Sequence, residues 1–155
     1  MQTAVEQMRA WESFLRAHAA VVPILARELE QARRIPLNYY DVLVQLANAK
    51  RRKLRLNELN QRLVLSQSAL SRLVDRMEAD GLVAREPDPT DRRGTVVSMT
   101  HPGLTALRQA APVHRSGIEH HFSCHMSEAE ARTLAAIMDR VRAAARAESN
   151  PPTEP

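Results

Sequence analysis

The apolar positions in the first third of the chain fall on helical spacing. Met8, Trp11, Leu15, His18, Val22, Leu25 and Leu29 step alternately by three and four residues, the seam of a long amphipathic helix. Thr3 is placed to cap its start, Pro23 interrupts one backbone hydrogen bond and predicts a kink, and Ile35-Pro36 ends it. Phe14, Val21 and Ile24 form a second apolar strip beside the seam, so this helix has more surface to cover than a short chain can readily supply. A shorter helix is predicted from Asn38 to about Ala49, with Val42, Leu43 and Leu46 facing inward. Asp41 lies in its first turn, where a negative charge suits the helix dipole.

The pattern then tightens. After the basic run Lys50-Arg51-Arg52-Lys53 and the short extended piece Leu54-Arg55-Leu56, Asn57 predicts the N-cap of a helix over 58–64, with Leu59 and Leu63 inward. Ser66 caps a second helix, Gln67–Asp80, with Leu70, Leu73, Val74 and Met77 as its core positions and Gly81 as a left-handed C-cap. Two short helices joined by a tight turn describe a helix-turn-helix. Opposite its core the second helix presents Gln67, Ser68, Ser71, Arg72 and Asp75, groups of a size to touch base edges and phosphates in a major groove. Leu82–Glu86 and Thr95–Thr100 read as strands rich in β-branched residues, with a turn-rich tip between them carrying Asp91, Arg92 and Arg93. A hairpin behind a helix-turn-helix is a wing, and narrow minor grooves attract an inserted arginine.

Two further helices follow. Leu104, Leu107, Ala111, His114, Ile118 and His121 lie on a seam over about 102–122, interrupted by Pro112. Ser127 and Glu130 make a capping box that opens a last helix carrying Leu134, Met138, Val141 and Ala145. Residues 148–155 read as a disordered tail.

Composition narrows the class. The 155 residues are 44% hydrophobic and 26% charged, which excludes a disordered chain and fits one domain or two small ones sharing a core. No run of 18 apolar residues exists, and Glu6, Glu12, Glu28 and Glu30 rule against a secretory signal, so no membrane partner is expected. The single cysteine excludes an intramolecular disulfide and fits a reducing cytoplasm. Charge is more telling in its placement than in its sum. Residues 50–100 hold eleven Lys and Arg against seven acids, which accounts for the whole net charge of +4, while the flanking thirds balance. Such a concentration is the footprint of a nucleic-acid binder, with a solvated charged face as the plainer alternative.

The residues match a known pattern. Ser66 through Val83 (SQSALSRLVDRMEADGLV) resembles the recognition helix of MarR-type transcription regulators. Asp88-Pro89-Thr90-Asp91-Arg92-Arg93-Gly94, followed by Val96-Val97-Ser98-Met99-Thr100, resembles their wing signature. Leu37-Asn38-Tyr39-Tyr40-Asp41-Val42-Leu43 matches the start of their second helix, and the resemblance covers roughly 5–147. It implies a mainly α winged helix-turn-helix with a two-stranded wing, in which 1–36 and 102–147 are dimerisation helices and 37–101 binds DNA. It further implies a homodimer on a palindromic operator, a cytoplasmic repressor that releases double-stranded DNA when a small aromatic or anionic effector binds. By position, Ser68, Ser71 and Arg72, with Gln67 beside them, would meet the major groove. Arg93 would enter the minor groove, Asp91 would orient the tip and Arg92 would meet phosphate.

Other conspicuous residues carry rival readings. Trp11, Phe14, His18, Tyr39, Tyr40 and Asp41 are candidates for an effector pocket, or for plain dimer core. Urate-responsive members of the family use a Trp, an Asp and arginines, which Trp11 and Asp41 partly echo. His120-His121-Phe122-Ser123-Cys124-His125 invites a metal-dependent enzyme. On a helix, however, His121 and His125 share one face and His120 and Cys124 another, about 100° away, so four ligands would not converge. The expectation is therefore no metal, no cofactor and no enzyme. Cys124 has no Lys or Arg within four residues to lower its pKa, and the peroxide-sensing branch carries its cysteine near the first helix, so an inert thiol is expected. A winged-helix protein that binds DNA constitutively, or through a protein partner, is the remaining alternative.

Overall fold

The computed structural model describes residues 2–63, 65–91 and 94–149. Its elements are α1 (Gln2–Gln31), α2 (Leu37–Ala47), β1 (Lys53–Arg55), α3 (Leu56–Arg62), α4 (Gln67–Ala79), β2 (Val83–Pro87), β3 (Thr95–Met99), α5 (His101–His121) and α6 (Glu128–Ser149). They form two compact units, the first ending at Gly117 and the second beginning at Ile118. The fold is mainly helical, with one small antiparallel sheet of strand order β1-β3-β2.

In the first unit the core lies where α2, α3, α4 and the sheet meet. Val42, Leu43, Leu46, Leu59, Leu70, Val74, Met77 and Val97 are fully buried there, with Tyr39, Leu54, Leu73, Val83 and Leu107 at its margins. The sheet departs from the expected two-stranded wing by one strand. Lys53 pairs with Ser98, Leu54 with Val97 and Arg55 with Val96, so the short piece after the basic run is a third strand. Its alternation explains why: Leu54 is buried while Lys53 and Arg55 face outward, which gives the strand one face for the core. β2 and β3 are paired from Val83↔Met99 to Pro87↔Thr95.

Helix boundaries differ from expectation by a few residues, and local chemistry accounts for each. Thr3 lies inside α1, which already begins at Gln2. The helix stops at Gln31, before Ile35-Pro36, because Arg33 adopts a left-handed backbone (φ 52°). That turn lets the Arg34 amide reach the Leu29 carbonyl at 2.9 Å, a closure usually made with glycine. α1 and α5 both run on through Pro23 and Pro112. α2 ends at Ala47, and Lys50–Arg52 form a 3-10 turn with φ 57° at Arg51 and 56° at Arg52. α3 begins at Leu56 rather than after Asn57, because the Glu58 carboxylate accepts the Arg55 amide at 3.0 Å and sets the cap two residues earlier. α4 opens as its sequence predicts, with Ser66 Oγ accepting the Ala69 amide at 3.2 Å.

α5 is tied to the end of α4 through a close approach. Thr100 Oγ1 donates to the Gly81 carbonyl at 2.7 Å and accepts the Gly103 amide at 3.1 Å. A Cβ on Gly103 would stand 2.1 Å from the Leu82 carbonyl oxygen, so only glycine fits there. Gly81 itself has φ 74°, the left-handed C-cap its position demands.

In the second unit the capping box is in place: Glu130 Oε2 accepts from the Ser127 amide at 2.8 Å and from its hydroxyl at 2.7 Å. α6 takes in Glu148 and Ser149, which were expected in the tail, and residues 150–155 lie outside the described residues. α5 ends at His121, so Cys124 and His125 sit in a 3-10 turn over Ser123–His125 and the helix-face geometry drawn for them does not apply. Cys124 Sγ donates to the His120 carbonyl at 2.9 Å. Among the described residues no three His, Cys, Asp or Glu side chains gather where they could hold a metal ion.

Candidate nucleic-acid interface

The exposed side of α4 begins with Gln67, Ser68 and Arg72, all open to solvent at the helix's capped end. Ser71 is half-buried, and its carbonyl accepts a hydrogen bond from Arg85 Nη2 at 2.9 Å. The same nitrogen lies 2.7 Å from Asp75 Oδ1, and the Arg85 amide donates to Glu78 Oε1 at 2.9 Å. Asp75 is therefore engaged in fastening β2 to α4. A guanidinium suits this task because Nη2 alone carries two N–H groups and can serve both acceptors. The fastening leaves Gln67, Ser68 and Arg72 as the side chains offered outward by the capped half of the helix.

The wing is organised around Asp88. Its side chain is 3% exposed, and its Oδ2 meets Arg55 Nε at 2.6 Å. Asp88 Oδ1 accepts both the amide and the hydroxyl of Thr90, each at 2.8 Å, and Arg55 Nη2 reaches the same hydroxyl at 2.7 Å. The backbone closes the loop: the Asp88 amide donates to the Gly94 carbonyl at 3.1 Å, and the Gly94 amide to the Asp91 carbonyl at 2.9 Å. A Cβ on Gly94 would fall 2.9 Å from that of Asp88, so the turn is also sterically full. The Thr90 amide and hydroxyl hold the Asp88 carboxyl below the usual carboxylate range, with Arg55 adding its charge. Asp91 is exposed; Arg92 and Arg93, expected to meet phosphate and the minor groove, lie outside the described residues.

By sequence Asp88 and Thr90 enter only as part of the wing signature, and Arg55, with Lys50–Lys53, as a residue that contacts phosphate or faces solvent; nothing there joins the three. The available signal was Asp88-Pro89-Thr90, where an aspartate can accept the amide two residues on, an Asx-turn. The partner Arg55 is 33 positions away and had no local signature.

The aromatic residues considered for an effector pocket are found in different settings. Trp11, Phe14 and His18 run along exposed α1 with ring centroids 5.9 and 6.3 Å apart. Tyr39 belongs to the core margin, and its hydroxyl donates to Asp80 Oδ2 at 2.9 Å, linking α2 to the end of α4. Tyr40 packs on His114 with centroids 4.4 Å apart, and burial lowers the His114 pKa. Asp41 keeps an exposed surface, yet surrounding protein desolvates its carboxyl enough to raise its pKa.

Comparison with known proteins shows the same pattern. A family model described as MarR family matches residues 35–94. A putative transcriptional regulatory protein for the hcr operon of Thauera aromatica is 36% identical over 78 residues, 50% of this chain and 46% of that protein. The HTH-type transcriptional regulator MhqR of Bacillus subtilis is 29% identical over 86 residues, 56% of this chain and 59% of the relative. The chain thus spans about half the length of these curated relatives. The crystal structure of Sco3205, a MarR family transcriptional regulator from Streptomyces coelicolor in complex with DNA, matches far more: 96% of this chain and 90% of that one, at 32% identity and a TM-score of 0.80. The chain belongs to the MarR family.

The MarR match over 35–94 coincides with the part whose core is complete, from α2 to the wing. The long helices enter the likeness through whole-chain comparison, which also includes AbsC of Streptomyces coelicolor at 27% identity, a TM-score of 0.80 and 90% of this chain. The family is one of transcription regulators. Among the described residues no helix is long and apolar enough to cross a membrane.

Proposed function

We propose that this MarR-family protein is a cytoplasmic, sequence-specific DNA-binding repressor that reads a palindromic operator as a homodimer. The observation that carries the reading is the exposed, side-chain-capped start of α4, which offers Gln67, Ser68 and Arg72 outward from a fully packed scaffold. Side chains at the start of such a helix can reach base edges in a major groove. The neighbouring wing is braced internally, and by sequence it carries Arg92 and Arg93 next to Asp91. Sco3205, at 32% identity, was crystallised with DNA.

Support for self-association comes from apolar surface left bare within each unit. Val5, Met8, Trp11, Phe14 and Leu15 of α1 are 43–64% exposed, and Ile137 and Val141 of α6 are 38% and 59% exposed. Patches of this kind mark interaction sites. A small effector is the further part of the reading. The row Trp11, Phe14 and His18 offers stacking surface, whereas Tyr39 is committed to Asp80. Asp41 would oppose an anion beside it, so an aromatic effector fits better than an anionic one.

The test is binding to a randomised operator library at several salt concentrations. Arg72→Ala is expected to change preference at one position in each half-site, at a cost of ~1–3 kcal/mol. Arg93→Ala is expected to weaken chiefly operators with A·T-rich flanks. Equal, sequence-blind losses for both variants would overturn the assignment.

A further inference from the structure

We infer that Arg55, at the junction of β1 and α3, is a positioning residue for the wing, acting through the buried carboxylate of Asp88. The inference rests on the DNA-binding reading for its consequence, but on the geometry of this chain for its substance. Arg55 belongs to the helix-turn-helix side of the molecule: its amide donates to Glu58 at the start of α3, and its strand pairs with Val96. Asp88 and Thr90 belong to the tip. The fork of one guanidinium joins the two, with Nε on Asp88 Oδ2 at 2.6 Å and Nη2 on Thr90 Oγ1 at 2.7 Å.

Several features make this a strut rather than a surface ion pair. The carboxylate is almost wholly buried, whereas the arginine is 47% exposed, so the anion has given up its water and depends on its protein partners. Both carboxylate oxygens are used, Oδ2 by Arg55 and Oδ1 twice by Thr90. The residue bonded at the other end of the loop is Gly94, the last before β3, where a side chain would strike Asp88. Removing Arg55 or neutralising Asp88 therefore releases Thr90 and loosens the closure of Asp88 and Asp91 on Gly94. α4 has its own fastening through Arg85 to Ser71 and Asp75, so its position does not depend on the strut.

This independence predicts a split effect. Neutralising Asp88 leaves the basic residues outside the tip where they are, so the salt dependence of DNA binding, which counts phosphate contacts, falls by no more than the about one unit that a single contact by Arg92 carries. What weakens is reading by the tip. Recognition by α4 persists.

The experiment uses the full-length protein with Asp88→Asn, Arg55→Gln, Arg55→Lys and, as a variant with minimal risk to folding, Thr90→Val. Hydrogen exchange followed by mass spectrometry tests the strut without DNA. Peptides covering 88–95 are expected to exchange on the order of tenfold faster in Asp88→Asn and Arg55→Gln, with peptides of α4 unchanged. Arg55→Lys, which keeps the charge but not the fork, should fall between those and the parent, as should Thr90→Val. Unchanged exchange at 88–95, or equal acceleration across α4, overturns the inference. In the DNA arm, Asp88→Asn should abolish any preference for A·T-rich flanks while preserving the half-site preference set by α4, with the salt slope lowered by at most about one unit. A loss blind to sequence would overturn it too. Failure of the DNA-binding reading would instead show as a parent protein with no sequence preference, and the exchange arm would still decide the strut.

Discussion

The stretch from α2 to β3 and the N-terminal half of α1 carry apolar residues at equally regular spacing, yet meet opposite fates. Val42, Leu43, Leu46, Leu59, Leu70, Val74 and Met77 are all at 0% exposure. On α1 the same seam divides: Leu25 and Leu29 are buried at 7% and 0%, while Met8, Trp11 and Leu15 stand at 59%, 55% and 45%. Periodicity states that a helix has an apolar face. It does not state what covers that face. In the winged stretch, short turns return each helix to its neighbour and the cover comes from the same chain. The first half of α1 has no such cover, and Met8, Trp11 and Leu15 stay exposed.

The largest effect that tests this contrast is in the core. Leu70→Ala removes a fully buried side chain at the centre of the helix-turn-helix, and a buried leucine lost this way typically costs ~2–5 kcal/mol. Urea denaturation should show that loss with a midpoint shift of the same size at every protein concentration. A shift below ~1 kcal/mol would mean that the α4 core is loosely packed and that the contrast with α1 is overstated.

Next in size is Trp11→Ala, which acts on association if the proposed homodimer covers this face. Anchoring aromatic residues in an interface contribute upward of ~1–2 kcal/mol, so the dimer dissociation constant should rise by about tenfold or more, read by sedimentation across a dilution series. An unmoved constant, or a well-behaved monomer before mutation, would remove the second chain as the cover for this face. The two variants differ in kind: one loss is independent of concentration, and the other depends on it.

How much of this was legible beforehand follows from the range of each interaction. Local chemistry was readable. Ser66 capping α4, the Ser127–Glu130 box and Gly81 in the left-handed region all act within four residues of themselves. The third strand was only half visible: Leu54-Arg55-Leu56 looked extended, but its pairing with Val96–Ser98 joins positions more than 40 apart. Arg55–Asp88 and Tyr39–Asp80 were invisible for the same reason, since each links residues 33 or 41 positions apart with no periodic signature. The wing motif points to Asp91 as the residue that orients the tip, and the carboxylate of Asp88, held by Arg55 and Thr90, adds a second one that the motif does not single out. The solvent-facing side of α4 was legible in outline, except that Asp75 is paired with Arg85 and Ser71 is half-buried.

The smallest expected effect lies at the hinge between the two regions, where α1 ends and the chain turns toward α2. Arg33 holds φ 52° there, so that the Arg34 amide can close on Leu29. An L-residue with a side chain costs roughly 1–2 kcal/mol in the left-handed region, a penalty glycine escapes. Glycine also gains freedom in the unfolded chain, which takes back ~0.4–1 kcal/mol. The difference leaves Arg33→Gly more stable than the parent by about 0.5 kcal/mol, a small upward shift in the urea midpoint. This shift should appear at every protein concentration, because the substitution acts on the backbone turn and leaves the bare half of α1 untouched. A gain that grew with dilution would place Arg33 on the association face. A loss of stability would show that the guanidinium, rather than the Leu29–Arg34 closure, holds the turn.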